Sequence, residues 1–311
     1  MLSVKNLIDT YSLTADDITQ ILDTAASFES VNNRAIKKVP ALRGRTIVNL
    51  VLEPSTRTKS SFELAEKRLS ADSLSMGGST SSVVKGESLA DTIQTISAMN
   101  VDMFVCRAKL AGTPQRITEN TDAVVINAGD GKHQHPTQAM LDLYTIRKNF
   151  GHLDGLKVAI VGDLAHSRVC GSLAPALKTM GAEVTLVGPP TFQVDDPDWF
   201  GCPQTASLDD VIEDMDVVYM LRVQLERMEG AAIPSRREYN RLYGLDMTRV
   251  NRMKPGAIIC HPGPMNRGME INADVADCAR SRILNQVNAG VLTRMAEMYL
   301  LLGGENNGLS A

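Results

Sequence analysis

Residues 46–63 read T-I-V-N-L-V-L-E-P-S-T-R-T-K-S-S-F-E, an apolar run followed by a turn rich in hydroxyl groups. The apolar run at 46–52 predicts a buried strand of a parallel sheet. Beyond the turn, Phe62, Ala65 and Leu69 recur at helical spacing and predict a helix. This stretch therefore predicts one strand-turn-helix unit of an α/β fold.

The polar turn between that strand and helix predicts an anion site. The first N–H groups of a helix lack partners within the helix, and the helix dipole is positive there, so phosphate binds readily. The turn contains Ser55, Thr56, Arg57 and Thr58, and the planar guanidinium of Arg57 matches phosphate oxygens. A simpler alternative is that Ser55 only caps the helix and Thr58 is an ordinary first-turn residue. Four consecutive polar residues after an apolar strand favour the anion site.

The composition is that of an ordinary globular protein. The chain has 311 residues, 43% hydrophobic and 22% charged, and its length predicts two domains. A net charge of −4 without a basic block argues against a nucleic-acid partner. No apolar run reaches transmembrane length, and the N-terminal residues lack the apolar core of a signal peptide. We therefore expect no membrane partner.

The cysteines and histidines do not form a metal-binding pattern. The five cysteines are scattered without a C-x-x-C pair, which is typical of reduced thiols in a cytoplasmic protein and argues against a cysteine-ligated zinc site. His133 and His135 are close in sequence, but no third ligand accompanies them. We expect neither a metal nor any other cofactor.

Short apolar runs alternate with amphipathic stretches along almost the whole chain, which predicts parallel sheets covered by helices. The predicted strands are 46–52, 72–76, 101–106, 122–126, 157–162, 183–188, 216–221 and 256–260. The predicted helices are 14–26, 58–69, 88–98, 137–149, 168–180, 208–214 and 288–302. The expected fold is α/β, with two doubly wound parallel-sheet domains and the active site in the cleft between them. We expect one domain at 1–135 with the C-terminal helix 286–311, an interdomain helix at 136–152, and a second domain at 153–285.

Polar residues, several of them arginines, follow the predicted strands at the point where each strand ends. They are Ser55–Thr58, Arg107, the loop 127–135, Asp163–Arg168, Arg222 with Gln224, and His261–Pro264. Parallel sheets bind ligands at the carboxyl ends of their strands. Each arginine alone could equally form a surface ion pair or bind a ligand. Together they predict a site for a multiply anionic ligand.

Two further pairs predict how parts of such a ligand are held. His135 and Gln138 are three residues apart and share one face of a helix's first turn, where the imidazole suits a carbonyl oxygen and the glutamine an amide. The alternative for His135 is a helix cap. Arg222 and Gln224 lie on one side of an extended stretch and, with Arg168, suit carboxylates.

Together these motifs resemble the aspartate/ornithine carbamoyltransferase family, and its aspartate-specific branch in particular, over nearly the whole chain. The motifs are S-T-R-T at 55–58, K-G-E-x-L-x-D-T at 85–92, H-P-T-Q at 135–138, G-D-L-x-x-x-R ending at Arg168, and R-V-Q at 222–224. One departure is H-P-G-P at 261–264 in place of the family's common H-P-L-P. A glycine there still offers its backbone carbonyl, so only a side-chain role is lost.

The resemblance implies transfer of the carbamoyl group of carbamoyl phosphate to the α-amine of L-aspartate, an early step of de novo pyrimidine biosynthesis. It implies a carbamoyl-phosphate site made by Ser55, Thr56, Arg57, Thr58, Arg107, His135, Gln138, Pro262, Gly263 and Pro264. Within that set, Arg57, Thr58, Arg107 and His135 would be catalytic.

The resemblance also implies an aspartate site and an oligomer. The aspartate site would contain Lys85, Arg168, Arg222 and Gln224, with Ser81 and Lys85 contributed by a neighbouring subunit of a homotrimer. Regulatory or other pathway chains are possible further partners. Two alternatives stay open: an ornithine-type carbamoyltransferase, and a non-catalytic phosphate- or nucleotide-binding module.

Overall fold

The structure, a computed structural model, describes residues 2–77, 87–196, 201–224 and 235–303. The chain divides into two compact units. Unit 1 contains the residues up to Tyr144 and those from Asn288 onward, and unit 2 runs from Thr145 to Val287. Each unit is built around its own parallel sheet. Two domains of parallel sheets flanked by helices are the expected fold class, which is confirmed.

Unit 1 contains a four-stranded parallel sheet in the order β2-β1-β3-β4. Its strands are β1 (Thr46–Val51), β2 (Asp72–Gly77), β3 (Met103–Ala108) and β4 (Val124–Asp130). Its helices are α1 (Ala15–Ser27), α2 (Glu29–Asn32), α3 (Thr56–Arg68), α4 (Leu89–Ser97), α5 (Thr113–Thr118) and α6 (Pro136–Phe150), the last of which continues into unit 2. The chain passes from β1 to β2 in one direction and then returns to place β3 on the other side of β1. Ligands of doubly wound sheets bind at such a switch point, here between β1 and β3.

Unit 2 contains a five-stranded parallel sheet in the order β7-β6-β5-β8-β9. Its strands are β5 (Lys157–Val161), β6 (Glu183–Val187), β7 (Gln204–Thr205), β8 (Val217–Met220) and β9 (Ile258–Cys260). Its helices are α7 (Arg168–Thr179), α8 (Arg236–Tyr243), α9 (Met247–Arg252) and α10 (Ala273–Ala276), and α11 (Ile283–Leu301) runs from unit 2 into unit 1. The switch point of this sheet lies between β5 and β8.

Several elements differ from the sequence prediction, which did not include β7 or the helices α2, α5, α8, α9 and α10. The helix predicted at 208–214 is wrong, since only a short 3-10 turn forms there, at Ile212–Asp214. Strand β4 is longer than predicted and continues through Asn127 to Asp130. These two polar residues are tolerated in a buried strand because they are hydrogen-bonded. The Asn127 amide donates to the Ile8 carbonyl and to the Asp130 carboxylate, each at 2.8 Å.

Among the helices in the described part of the chain, none combines the length and the apolar character that crossing a bilayer requires.

Candidate functional site

The N-terminus of α3 lies directly after β1, at the switch point of the unit 1 sheet. The Ser55 hydroxyl caps this helix by accepting a hydrogen bond from the Thr58 N–H at 3.4 Å. Thr58 is buried, whereas Thr56 and Arg57 are exposed. Ser55 therefore caps the helix, and this is compatible with an anion site because a cap uses only one of the first-turn N–H groups.

A buried network holds α3 against the sheet. The Asn49 amide on β1 lies 2.9 Å from both carboxylate oxygens of Glu66 on α3. The Ser73 hydroxyl on β2 donates to the same carboxylate. Burial raises the pKa of Glu66, and these two donors oppose the rise. The network connects β1, β2 and α3, so it orients the helix that carries the polar turn.

Arg107 converges with the polar turn through three contacts of its guanidinium. Its Nη2 lies 3.1 Å from Oε2 of Glu53. Its Nη1 donates to the Ala128 carbonyl at 3.1 Å and lies 3.5 Å from the Thr58 hydroxyl oxygen. The sequence placed Arg107 just after its strand, but β3 extends to Ala108 and includes it. The structure thus unites two predicted site residues, Thr58 and Arg107, at the switch point.

The loop after β4 is tied back to the strand by a buried carboxylate. Asp130 accepts hydrogen bonds from the Gln134 N–H at 3.1 Å and the Gly112 N–H at 2.7 Å. The Gln134 carbonyl in turn accepts from the Asp130 N–H at 3.1 Å. These bonds determine where the next residue, His135, enters α6.

His135 and Gln138 lie at the start of α6. The His135 carbonyl accepts from the Gln138 N–H at 3.0 Å, and the imidazole Nδ1 lies 3.4 Å from the Thr137 hydroxyl. Both side chains are buried. The Gln138 side-chain amide donates to the Asp142 carboxylate one turn along the helix, at 3.0 Å.

Unit 2 has a second cluster at its own switch point, between β5 and β8. Arg168 begins α7, is buried, and follows the helix cap Ser167. After β8, an Arg222 guanidinium nitrogen donates to the side-chain oxygen of Gln224 at 3.2 Å. The buried Asp163 carboxylate accepts from the Gln224 N–H at 3.3 Å and contacts the His166 ring at 2.7 Å. Asp163 therefore connects the loop before Arg168 with the segment that carries Arg222.

The turn after β9 is held by a buried histidine. The Gly263 N–H donates to His261 Nδ1 at 2.8 Å, and His261 Nε2 lies 3.1 Å from Glu270. An accepting Nδ1 requires the proton on Nε2, which then donates to the carboxylate. Gly263 has φ +61°, a left-handed conformation that glycine adopts at low cost. Asn266 donates to the Val223 carbonyl at 3.3 Å, so this turn is joined to the Arg222–Gln224 segment.

Ser81 and Lys85, two of the predicted site residues, lie outside the described residues. Several supporting carboxylates were not predicted, among them Glu53, Asp142 and Glu270. For Asp142 a signal existed, because it stands four residues after Gln138 on the same helix. Within the described ranges, no cluster of three or more histidine, cysteine or acidic side chains has the arrangement of a metal site.

Comparison with known families shows similarity over both units. A model described as "Aspartate/ornithine carbamoyltransferase, carbamoyl-P binding domain" matches residues 5–148. A second, described as "Aspartate/ornithine carbamoyltransferase, Asp/Orn binding domain", matches residues 154–301. The aspartate carbamoyltransferase catalytic subunit of Thermobifida fusca is 54% identical over 301 residues, which cover 97% of this chain and 96% of that protein. The corresponding subunit of Syntrophotalea carbinolica is 51% identical, with the same coverage.

Solved structures show the same similarity. The catalytic subunit of M. jannaschii aspartate transcarbamoylase superposes with a TM-score of 0.85 at 36% identity, covering 98% of this chain and all of that one. Aspartate transcarbamoylase of Trypanosoma cruzi in complex with carbamoyl phosphate gives a TM-score of 0.88 at 29% identity, covering 96% of each chain. Another structure of the T. cruzi protein contains both carbamoyl phosphate and aspartate.

Proposed function

The chain belongs to the aspartate/ornithine carbamoyltransferase family, and from that premise we propose that it transfers the carbamoyl group of carbamoyl phosphate to the α-amine of L-aspartate. The products are N-carbamoyl-L-aspartate, a precursor in pyrimidine biosynthesis, and phosphate. Relatives that are 54% and 51% identical to it, over 96% of their own length, carry the name of this activity.

The observation that carries the proposal is the convergence of Arg107 and Thr58 at the switch point of the unit 1 sheet. A guanidinium and a hydroxyl at a helix N-terminus form a site for a phosphate whose neighbouring carbonyl oxygen also needs donors. In this proposal, Ser55, Thr56 and Arg57 bind the phosphate together with Thr58 and Arg107.

The reaction needs no protein nucleophile. The neutral aspartate amine attacks the carbamoyl carbon, the carbon–nitrogen bond forms, and negative charge develops on the carbonyl oxygen. Thr58, Arg107 and His135 are the proposed donors to that oxygen. The bond to the phosphate oxygen then breaks, and the amine proton leaves with the phosphate. Catalysis rests on positioning and charge stabilisation.

His135 suits this role because of its contact with Thr137. When the Thr137 hydroxyl donates to Nδ1 across the 3.4 Å separation, the proton of the ring stands on Nε2. Nε2 is then the donor that the imidazole presents to the carbonyl oxygen. We further propose that Gln138 and the carbonyls of Pro262 and Gly263, in the turn that ends at Pro264, accept from the carbamoyl NH2 group.

The cationic side chains of unit 2 favour aspartate over ornithine. Arg168 and Arg222, with Gln224, offer donors to two carboxylates. The hydrogen bond from Arg222 to Gln224 fixes the guanidinium beside a second polar group. An ornithine side chain carries an ammonium group, which these arginines would repel.

The assembly is also part of the proposal. By family resemblance, Ser81 and Lys85 of one subunit complete the site of the next in a homotrimer, where Lys85 binds aspartate. A cytoplasmic location is also proposed, supported by five cysteines that are scattered along the sequence without a C-x-x-C pair.

An assay of phosphate release from carbamoyl phosphate, run with aspartate and with ornithine, tests the activity. We expect release with aspartate only, and loss of nearly all of it in Arg57→Ala with the fold unchanged by circular dichroism. Release with ornithine only would identify an ornithine-type enzyme. Binding of phosphate without turnover of either amine would identify a binding module.

Mixing two inactive variants tests the shared site. Chains with Arg57→Ala and chains with Lys85→Ala are each expected to be inactive as homotrimers. A hybrid trimer formed after mixing and reassembly contains some sites with neither substitution, so activity should return. A monomer by sedimentation, or no recovery after verified mixing, would contradict the trimer.

A further inference from the structure

The start of α6 contains a hydrogen bond whose direction is chemically determined. The Gln138 side chain contacts the Asp142 carboxylate at 3.0 Å, and both residues are buried in unit 1. A carboxylate only accepts hydrogen bonds, so the atom of Gln138 that faces it must be the NH2 group. The amide oxygen of Gln138 therefore points away from Asp142.

A buried cation balances the charge of Asp142. Arg294 on α11 is buried and attracts both Asp142 and Glu297 electrostatically. Its guanidinium carbon lies 4.9 Å from the ring centre of Phe62, and its Nη1 donates to the Gly290 carbonyl at 3.2 Å. Glycine at position 290 leaves room for that guanidinium, since an added Cβ would lie only 2.7 Å from Nη1. The packing thus places a buried positive charge within electrostatic reach of Asp142.

We propose that Asp142 is a positioning residue that makes the site select a carbamoyl group over an acetyl group, by holding the amide oxygen of Gln138 toward the substrate NH2. This inference rests on the proposed function, in which Gln138 binds the carbamoyl end. The NH2 of carbamoyl phosphate donates hydrogen bonds, whereas the methyl group of acetyl phosphate, of nearly the same size, does not. A hydrogen-bond acceptor held in place therefore stabilises bound carbamoyl phosphate but not bound acetyl phosphate.

Without the carboxylate, the Gln138 amide is free to turn by 180°. Its NH2 group would then face the substrate NH2, donor against donor, and the preference for the carbamoyl group would be lost. Asp142→Asn tests this directly, because asparagine keeps the size of the side chain and offers a donor as well as an acceptor to Gln138.

The test is the ratio of the dissociation constants of acetyl phosphate and carbamoyl phosphate, measured by calorimetry without aspartate. We expect Asp142→Asn to reduce this ratio about tenfold or more, toward the value of Gln138→Ala, which corresponds to one misdirected buried hydrogen bond. Equal weakening of both ligands, or no change in either, would show that Asp142 has only a structural role.

Two further variants keep the result interpretable. Asp17→Asn is the matched control, since it makes the same aspartate-to-asparagine change at a buried residue that is bonded to Ser3 and Thr14 at the start of α1, and it should leave the ratio unchanged. The double variant Gln138→Glu with Asp142→Asn exchanges the two groups, so that an acceptor-only carboxylate again faces the substrate. We expect it to recover part of the ratio even if the single variant folds poorly. A ratio as low as that of Gln138→Ala would overturn the proposal.

The outcome is separable from the proposed function. If the wild-type protein forms no carbamoyl aspartate, the proposed function fails whatever the ratios are. If it is active but its ratio does not respond to Asp142→Asn, only the positioning role fails.

Discussion

The Arg107 guanidinium lies 3.1 Å from the Glu53 carboxylate. Arg107 is near the end of β3, and Glu53 lies just beyond the end of β1. Both side chains are largely buried, at 13% and 21% exposure. A partly buried ion pair of this kind restricts the guanidinium to one orientation. Together with the Ala128 carbonyl, Glu53 aims Arg107 at Thr58.

Replacement of Arg107 by lysine is expected to reduce kcat by roughly 100-fold. A single ammonium cannot contact Glu53, the Ala128 carbonyl and Thr58 at once, as the planar guanidinium does. Steady-state kinetics with saturating aspartate would measure the loss. Arg45→Lys is the control, because Arg45 forms an exposed pair with Asp102, and wild-type turnover in Arg107→Lys would contradict the assignment.

Removal of the Arg222 side chain is expected to raise the KM for aspartate by roughly 100-fold. The change deletes one proposed carboxylate partner and leaves the phosphate-binding residues of unit 1 untouched. The dissociation constant of carbamoyl phosphate should stay within about twofold of the wild-type value. Arg252→Ala, which removes an exposed arginine paired with Asp209 and Glu213, serves as the control. If both substrates weaken equally, Arg222 does not bind aspartate selectively.

Substitution of the helix caps separates stability from activity. Ser55→Ala and Thr14→Ala each remove a side-chain cap, from α3 and α1 respectively. Each is expected to lower the free energy of unfolding by about 1 kcal/mol in urea titrations. Only Ser55→Ala should also weaken carbamoyl phosphate binding. Equal kinetic behaviour of the two variants would argue that Ser55 has no role beyond capping.

Glu297 is expected to make the stability of the protein fall as the pH rises. Burial raises the pKa of this carboxyl from 4.5 to about 8, and the attraction of Arg294 opposes the rise in part. Between these two values the folded chain retains a proton that the unfolded chain releases, so the free energy of unfolding decreases with increasing pH. Below the lower value both states are protonated, and the stabilising contribution is fully present.

Glu297→Gln should remove this dependence, because glutamine stays uncharged at every pH. Near pH 8 the variant is expected to be more stable than the wild type by about 4 kcal/mol, with the difference vanishing below about pH 4.5. Unfolding by urea at several pH values would measure it. Glu213→Gln, at an exposed glutamate, is the control. Parallel stability curves for Glu297→Gln and the wild type would contradict a raised pKa.

Much of the candidate site could be predicted from the sequence because each of its motifs is contiguous. The turn at 55–58, the helix start at 135–138 and the Arg222–Gln224 pair each occupy a few consecutive residues, where helix ends and strand alternation have direct physical signatures. Boundaries were less predictable. Arg107 lies within β3 because its strand partners extend the hydrogen-bonded ladder past the apolar run.

Glu53 and Glu270 were not predicted as supporting carboxylates because their partners are distant along the chain. Glu53 and Arg107 are 54 positions apart by their residue numbers, and Arg294 interacts with Asp142 because its part of α11 belongs to unit 1. Local periodicity contains no information about such pairs. Glu270 likewise becomes a partner of His261 only when the turn after β9 folds back.

By itself, the sequence determined the α/β class, the strand-turn-helix unit at 46–63 and the groups that bind anions, since backbone geometry and hydrogen-bonding capacity act over a few residues. The tertiary structure alone decided the strand orders β2-β1-β3-β4 and β7-β6-β5-β8-β9, and with them the two switch points at which those groups gather. Strand order depends on how helices pack on each sheet, a long-range choice among arrangements that share the same local pattern. The tertiary structure also decided the direction of the Gln138 amide, which depends on the buried carboxylate of Asp142 and on Arg294, a cation near the far end of the chain.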